Sequence, residues 1–102
     1  MVSNIKATLL TRQRIVRSTF SSAKLVLRQV PKPVAGSQHD YNYRLAYVVS
    51  EVCVVRYDNE IGKGDHRHVG VLEADYKFVS PEKSIADFQK DIARWNHEKS
   101  HF

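Results

Sequence analysis

Tyr41-Asn42-Tyr43-Arg44-Leu45-Ala46-Tyr47-Val48-Val49-Ser50-Glu51-Val52-Cys53-Val54-Val55-Arg56-Tyr57 sets the architecture of this 102-residue chain. Tyr41, Tyr43, Leu45 and Tyr47 recur at every second position. In an extended chain they share one face and leave Asn42, Arg44 and Ala46 on the other. The apolar run from Val52 to Val55 reads as a second strand, ending at Tyr57. Ser50-Glu51 is the natural turn between them, without the glycine that a tight hairpin prefers. The tyrosine row suits cross-strand packing. A row of aromatics on a sheet can also stack on unpaired bases, with Arg44 and Arg56 near enough in sequence to meet phosphates.

Upstream, Ile5 to Leu10, Arg14 to Phe20 and Ala23 to Val30 each read as a strand, the last alternating Leu25 and Leu27 against Lys24, Val26 and Arg28. Pro31-Lys32-Pro33-Val34-Ala35-Gly36-Ser37 interrupts and redirects the chain. Downstream, Tyr76 to Val79 reads as a short last strand. Ser80-Pro81-Glu82 is a helix start: an N-cap, a proline at the first helical position and an early acid. Ile85, Phe88, Ile92 and Trp95 then form one stripe of a helix, with Trp95 as a core residue. The expected fold is α+β: a five- or six-stranded antiparallel sheet with one C-terminal helix on its apolar face, a single domain over residues 1–102.

The 42% apolar and 26% charged content is ordinary for a globular chain and argues against disorder. No apolar run is long enough to cross a membrane, and Met1 to Leu10 lacks a signal-peptide core, so a cytoplasmic protein is expected. Cys53 is the single cysteine, which excludes an internal disulfide; its apolar neighbours predict a buried thiol. The net charge of +5 is unevenly spread. Lys6, Arg12, Arg14, Arg17, Lys24, Arg28 and Lys32 precede the first acid, Asp40. A basic surface of this kind attracts polyanions, RNA among them, or an acidic protein. Arg12, Arg14, Arg17, Lys24, Arg28, Arg44 and Arg56 are the candidate nucleic-acid contacts. Nothing in the chain fixes its oligomeric state, and a homodimer is compatible with it.

The densest chemistry lies in Asp58-Asn59-Glu60-Ile61-Gly62-Lys63-Gly64-Asp65-His66-Arg67-His68-Val69-Gly70. Burying so many ionisable groups is costly unless each is paired, so a surface loop is expected. His66 and His68, two apart, point to the same side if the backbone is extended. Histidine is suited to moving protons near neutral pH. Cutting RNA without a metal requires removing the 2′-OH proton, protonating the 5′-oxygen and steadying the phosphate. His66 and His68 are candidates for the proton steps, Arg67 and Lys63 for the developing charge, and Tyr57 or Asp65 for orienting an imidazole. Asp65, His66 and His68 are also of the type that ligates a metal, which would make the chain a metal-dependent hydrolase. A solvated loop without chemistry, in a module that only binds, is a third reading. Gly62-Lys63-Gly64 is too short for a nucleotide-binding P-loop, and no cofactor is implied. His39, His97 and His101 stand isolated and are expected on the surface.

Arg56 to Gly70 resembles the segment that marks the TumE family, small toxins of bacterial toxin–antitoxin pairs. Lys6-Ala7-Thr8-Leu9-Leu10, the Val30 to Ser37 stretch with the tyrosine-rich strand after it, and Tyr76-Lys77-Phe78-Val79-Ser80 leading to Ala86-Asp87-Phe88 are similar to that family's other parts. The resemblance covers nearly the whole chain. It implies a cytoplasmic toxin silenced by a helix-turn-helix antitoxin, and carries over no catalytic residues.

Overall fold

The computed structural model describes residues 7–99. Strands β1 (Thr8–Val16), β2 (Ser21–Gln29), β3 (Tyr41–Val49), β4 (Val52–Glu60), β5 (Gly64–Val69) and β6 (Leu72–Asp75) are followed by helix α1 (Pro81–Lys99). The strands form one antiparallel sheet in chain order, each paired with its neighbours in sequence. The short connections favour antiparallel pairing, since parallel strands need long crossovers. Helix α1 lies over β3 and β4, giving the α+β architecture expected.

The alternation in β3 holds. Tyr43, Leu45 and Tyr47 are buried beneath the helix with Leu25, Leu27, Val55, Tyr57, Phe88 and Ile92. The tyrosines therefore pack, and Tyr43 and Tyr47 have no face left for a base. Ile85 and Trp95 of the helical stripe pack against this core half-buried. Ser80 caps the helix: its Oγ accepts the Lys83 N–H at 3.1 Å. Ser50 and Glu51 make the hairpin turn with φ of 49° and 69°, the two left-handed residues such a turn demands.

Six expectations are corrected. The first two strands are one: β1 runs through Thr11-Arg12-Gln13, because an edge strand tolerates polar residues on its wet side, and an irregularity between Leu9 and Thr11 resets its alternation. Arg17 to Phe20 is a turn, closed by Arg17 N–H to the Ser21 carbonyl at 2.9 Å. Ile5 and Lys6 lie outside the described residues. Tyr76 to Val79 is a connection without strand pairing, and the last strand is β6. Cys53 is exposed: the register slips at Tyr47/Val48, so Val54 and Val55 are both buried and Cys53 falls on the opposite side. Asp58 to Gly70 is a hairpin, β4 and β5 joined at Ile61 to Lys63. Its ionisable groups fit in strands because an antiparallel sheet can keep one face in water. Finally, His39 is half-buried and paired, as described below.

Candidate functional site

The register assigns each chemical side chain to a face. Across the sheet, Arg12, Val26, Arg44, Asp58, His66 and Asp75 stand in one row. Arg14, Lys24, Ala46, Arg56, His68 and Glu73 stand in the next. Both rows lie on the face that the helix leaves open, since the intervening row of Leu25, Leu45 and Tyr57 is buried. The structure thus brings six of the seven candidate nucleic-acid contacts, Arg12, Arg14, Lys24, Arg28, Arg44 and Arg56, onto one surface with His66 and His68. Arg17 sits apart, in the β1–β2 turn.

A groove of about 730 Å³ runs over β1 to β4, lined by Arg12, Lys24, Arg28 and Arg44 with Asn42 and Asp58. Beside it a hollow of about 190 Å³ is lined by Arg56, Asp58, Glu60, Lys63, His66, His68 and Glu73. Most of the cations line the groove and the imidazoles line the adjoining hollow, where Arg56 and Lys63 join them. Carboxylates border the histidines, and Lys63 is 3.3 Å from Glu60.

The two histidines have opposite surroundings. His66 Nε2 is 3.1 Å from Asp75 Oδ1, and its Nδ1 is 3.2 Å from the Gly64 carbonyl. Both partners only accept, so either ring nitrogen bonds here as a donor. His68 Nε2 faces the Arg56 guanidinium at 2.9 Å. A guanidinium only donates, so this nitrogen accepts; Glu73 at 3.7 Å is beyond hydrogen-bond reach. Asp58 Oδ2 lies 3.1 Å from the Arg56 Nε as its ion-pair partner, out of line for a hydrogen bond.

Of the residues grouped with the histidines, Lys63 lines the hollow and the other three lie on the helix face. Asp65, Arg67 and Tyr57 alternate away from His66 and His68, as neighbours in a strand must. Arg67 reaches toward Asp91 at 3.8 Å, and the buried Tyr57 hydroxyl donates a short hydrogen bond to Asp91. Neither orients an imidazole of the hollow. Asp65 cannot join the two histidines around a metal, and no group of three or more potential ligands is assembled among the described residues.

Asp65 is instead the centre of a polar cluster. Its Oδ1 accepts from Ser37 Oγ at 2.6 Å. Its Oδ2 accepts from the Tyr43 hydroxyl at 2.6 Å and from His39 Nε2 at 2.7 Å. His39 Nδ1 accepts the Tyr41 N–H at 3.2 Å, which leaves Nε2 as the donor. The ring stacks on Phe78, centroids 3.8 Å apart. Asn59, 1% exposed, ties the same cluster to the sheet through Tyr43 N–H and the Tyr41 carbonyl. Burial, then the carboxylate it touches, raises the pKa of each phenol that points at an acid: Tyr43 beside Asp65, Tyr57 beside Asp91 and Tyr76 beside Asp87. Tyr76 is pushed up to about 12. The Tyr76 hydroxyl and Lys83 hold Asp87 below the ordinary carboxylate range.

Sequence reasoning missed Ser37, His39, Asn59 and Asp91 as partners. One signal was at hand: reading Asp65 to His68 as a strand puts Asp65 and Arg67 opposite the histidines. Nothing in spacing pairs His39 with Asp65.

No helix among the described residues is long and apolar enough to cross a membrane. In comparisons with known proteins, the family described as Toxin TumE matches residues 3–96. No curated protein and no solved structure matches the chain.

Proposed function

The chain belongs to the TumE toxin family, and on that premise we propose that this toxin of a toxin–antitoxin pair acts on RNA as a small endoribonuclease. The observation that carries the reading is the open face, where twin imidazoles with opposite hydrogen-bond partners stand in register with a cationic groove. Arg12, Arg14, Lys24, Arg28 and Arg44 hold the phosphates of a single strand. Arg44 on β3 is two strand spacings, about 10 Å, from His66 on β5, close enough for one bound strand to reach both. On binding, Arg56 turns its donors to the scissile phosphate and releases the His68 lone pair. His68 then takes the 2′-OH proton as the ribose oxygen attacks phosphorus. His66 gives its proton to the departing 5′-oxygen. A cyclic phosphate and a 5′-hydroxyl result, with no oxidant, metal or cofactor in the balance.

The test is cleavage of a single-stranded RNA by the purified protein with a chelator present. His66→Ala and His68→Ala should each lower the rate about a hundredfold to ten-thousandfold, keep the wild-type melting profile and relieve growth arrest on expression without antitoxin. A folded double variant that cuts at the wild-type rate refutes the assignment.

A second reading rests on the carboxylates around the histidines, Asp58, Glu60 and Glu73. In it the groove binds RNA uncut, and the arginines matter while the histidines do not. Intact RNA shifted in a gel at every pH, with binding that falls steeply with salt, supports that reading. The cytoplasm, with a helix-turn-helix antitoxin as partner, is the setting we propose for either; both allow a homodimer.

A further inference from the structure

Strand β1 closes one side of the sheet, and no strand pairs with its outer edge among the described residues. It is exposed at every position but Thr11, which is half-buried. Nine residues at about 3.3 Å each present about 30 Å of unpaired backbone donors and acceptors. Edges of this kind are ordinarily blunted by charge or irregularity, because they recruit other strands. Arg12, Arg14 and the irregularity near Leu10 are such devices. Leu9, Leu10, Ile15, Val16 and, in the adjoining turn, Phe20 are not: all five are exposed, Phe20 by 70%. That many large apolar side chains along one open edge mark an interaction surface.

The charge selects the occupant. Arg12, Arg14 and Arg17 flank the apolar side chains, and no acid precedes Asp40. A second copy of β1, laid antiparallel, would set arginines against arginines with nothing to offset them. A nucleic acid cannot complete a ladder of backbone hydrogen bonds. We propose that the free edge of β1 receives an extended segment of a partner protein, alternating acidic with β-branched or other apolar residues, as a seventh strand. The antitoxin partner implied by the family is its natural source. Docking stands apart from the RNA reading. Its consequence rests on that reading: an acidic strand at the edge neutralises Arg12 and Arg14 and withdraws them from RNA.

The experiment uses the isotope-labelled full chain and a ten-residue synthetic peptide alternating glutamate and valine. Saturating peptide should slow exchange at least tenfold at the alternate amides of residues 8–16 that β2 leaves unpaired. Replacing the glutamates by lysine, or methylating alternate peptide nitrogens, should weaken binding tenfold or more, as should the protein change Arg12→Glu with Arg14→Glu. Unchanged exchange in β1 at millimolar peptide overturns the proposal. So does equal binding of the methylated peptide, or β1 amides already protected in a dimer without peptide. RNA cleavage is measured without peptide, so failure of the ribonuclease reading leaves a separate signature.

Discussion

Replacing Asp65 by asparagine separates architecture from chemistry within the histidine segment. The carboxylate is 9% exposed and accepts from Ser37, Tyr43 and His39. Asparagine has one accepting oxygen. Its least costly pose turns that oxygen to Tyr43 and His39 and the amide to Ser37 Oγ, which can accept. All three contacts then survive without charge assistance, and a charge-assisted bond is roughly twice as strong as a neutral one. Losing about 0.7 kcal/mol at each gives about 2 kcal/mol. For a domain of this size that is a fall of roughly 8–16 °C in Tm. Asp65→Ala removes every acceptor and strands buried donors, so about 4–5 kcal/mol is expected. The assay is thermal and urea denaturation of the three proteins. RNA cleavage is compared below all three midpoints and per folded molecule. We expect Asp65→Asn to cut RNA within about threefold of wild type, because its carboxylate faces away from the histidines. A variant that melts with wild type refutes the hydrogen-bond argument. One that is folded and has lost cleavage about a hundredfold puts Asp65 back into the chemistry.

Alkaline pH should unfold the protein early. Tyr43, Tyr57 and Tyr76 keep their protons in the fold beyond the ordinary value of 10.0, so the unfolded chain binds fewer protons above that value. The stability they confer is intact below about pH 10 and is lost as pH rises. The steepest loss, with all three acting, is up to about 4 kcal/mol per pH unit. Phenolate absorbance followed with circular dichroism checks this: Tyr43, Tyr57 and Tyr76 should ionise together with unfolding, and their ionisation while the fold persists would refute it. Gly36→Ala should cost more than about 3 kcal/mol, because a Cβ there would sit 2.7 Å from the Gly64 backbone nitrogen at a φ of +96°. Gly62→Ala, with open space around it and a φ of +83°, should cost only the left-handed penalty of about 1 kcal/mol. Equal urea midpoints for the two would show that the Gly36–Gly64 approach is not tight. Salt should weaken RNA binding steeply, and Arg44→Gln should lower the slope of log affinity against log salt by about 0.7; an unchanged slope removes Arg44 from the groove.

Much of this molecule is written locally. The period of two in Tyr41 to Tyr47 put its tyrosines on the buried face, because a strand's side chains alternate whatever it pairs with. Ser80-Pro81 started the helix, since capping needs only the residues within one turn. The same-side placement of His66 and His68 also follows from backbone geometry. Local reading failed where two cues competed. The polar Thr11 to Gln13 segment looked like a break in the strand and is part of β1. The ionisable run after Tyr57 looked like a loop because its charges were counted together, when alternate ones face water and their neighbours face partners. Cys53 was misplaced by one register slip, which no pattern around Val52 to Val55 announces.

By itself, then, the amino-acid order determined the class of fold, the buried face of β2 and β3, the helix and its cap, and the concentration of positive charge before Asp40. Tertiary structure alone decided that His39 would meet Asp65 across 26 positions, that Asp91 would anchor Tyr57 from the helix, and that the imidazoles would border the cationic groove instead of sitting in it. The physical reason is range. Alternation, capping and turn preference act between residues a few bonds apart. The partner of a buried polar group depends on register and on the path of the 30–40 connection, which only the closed sheet establishes.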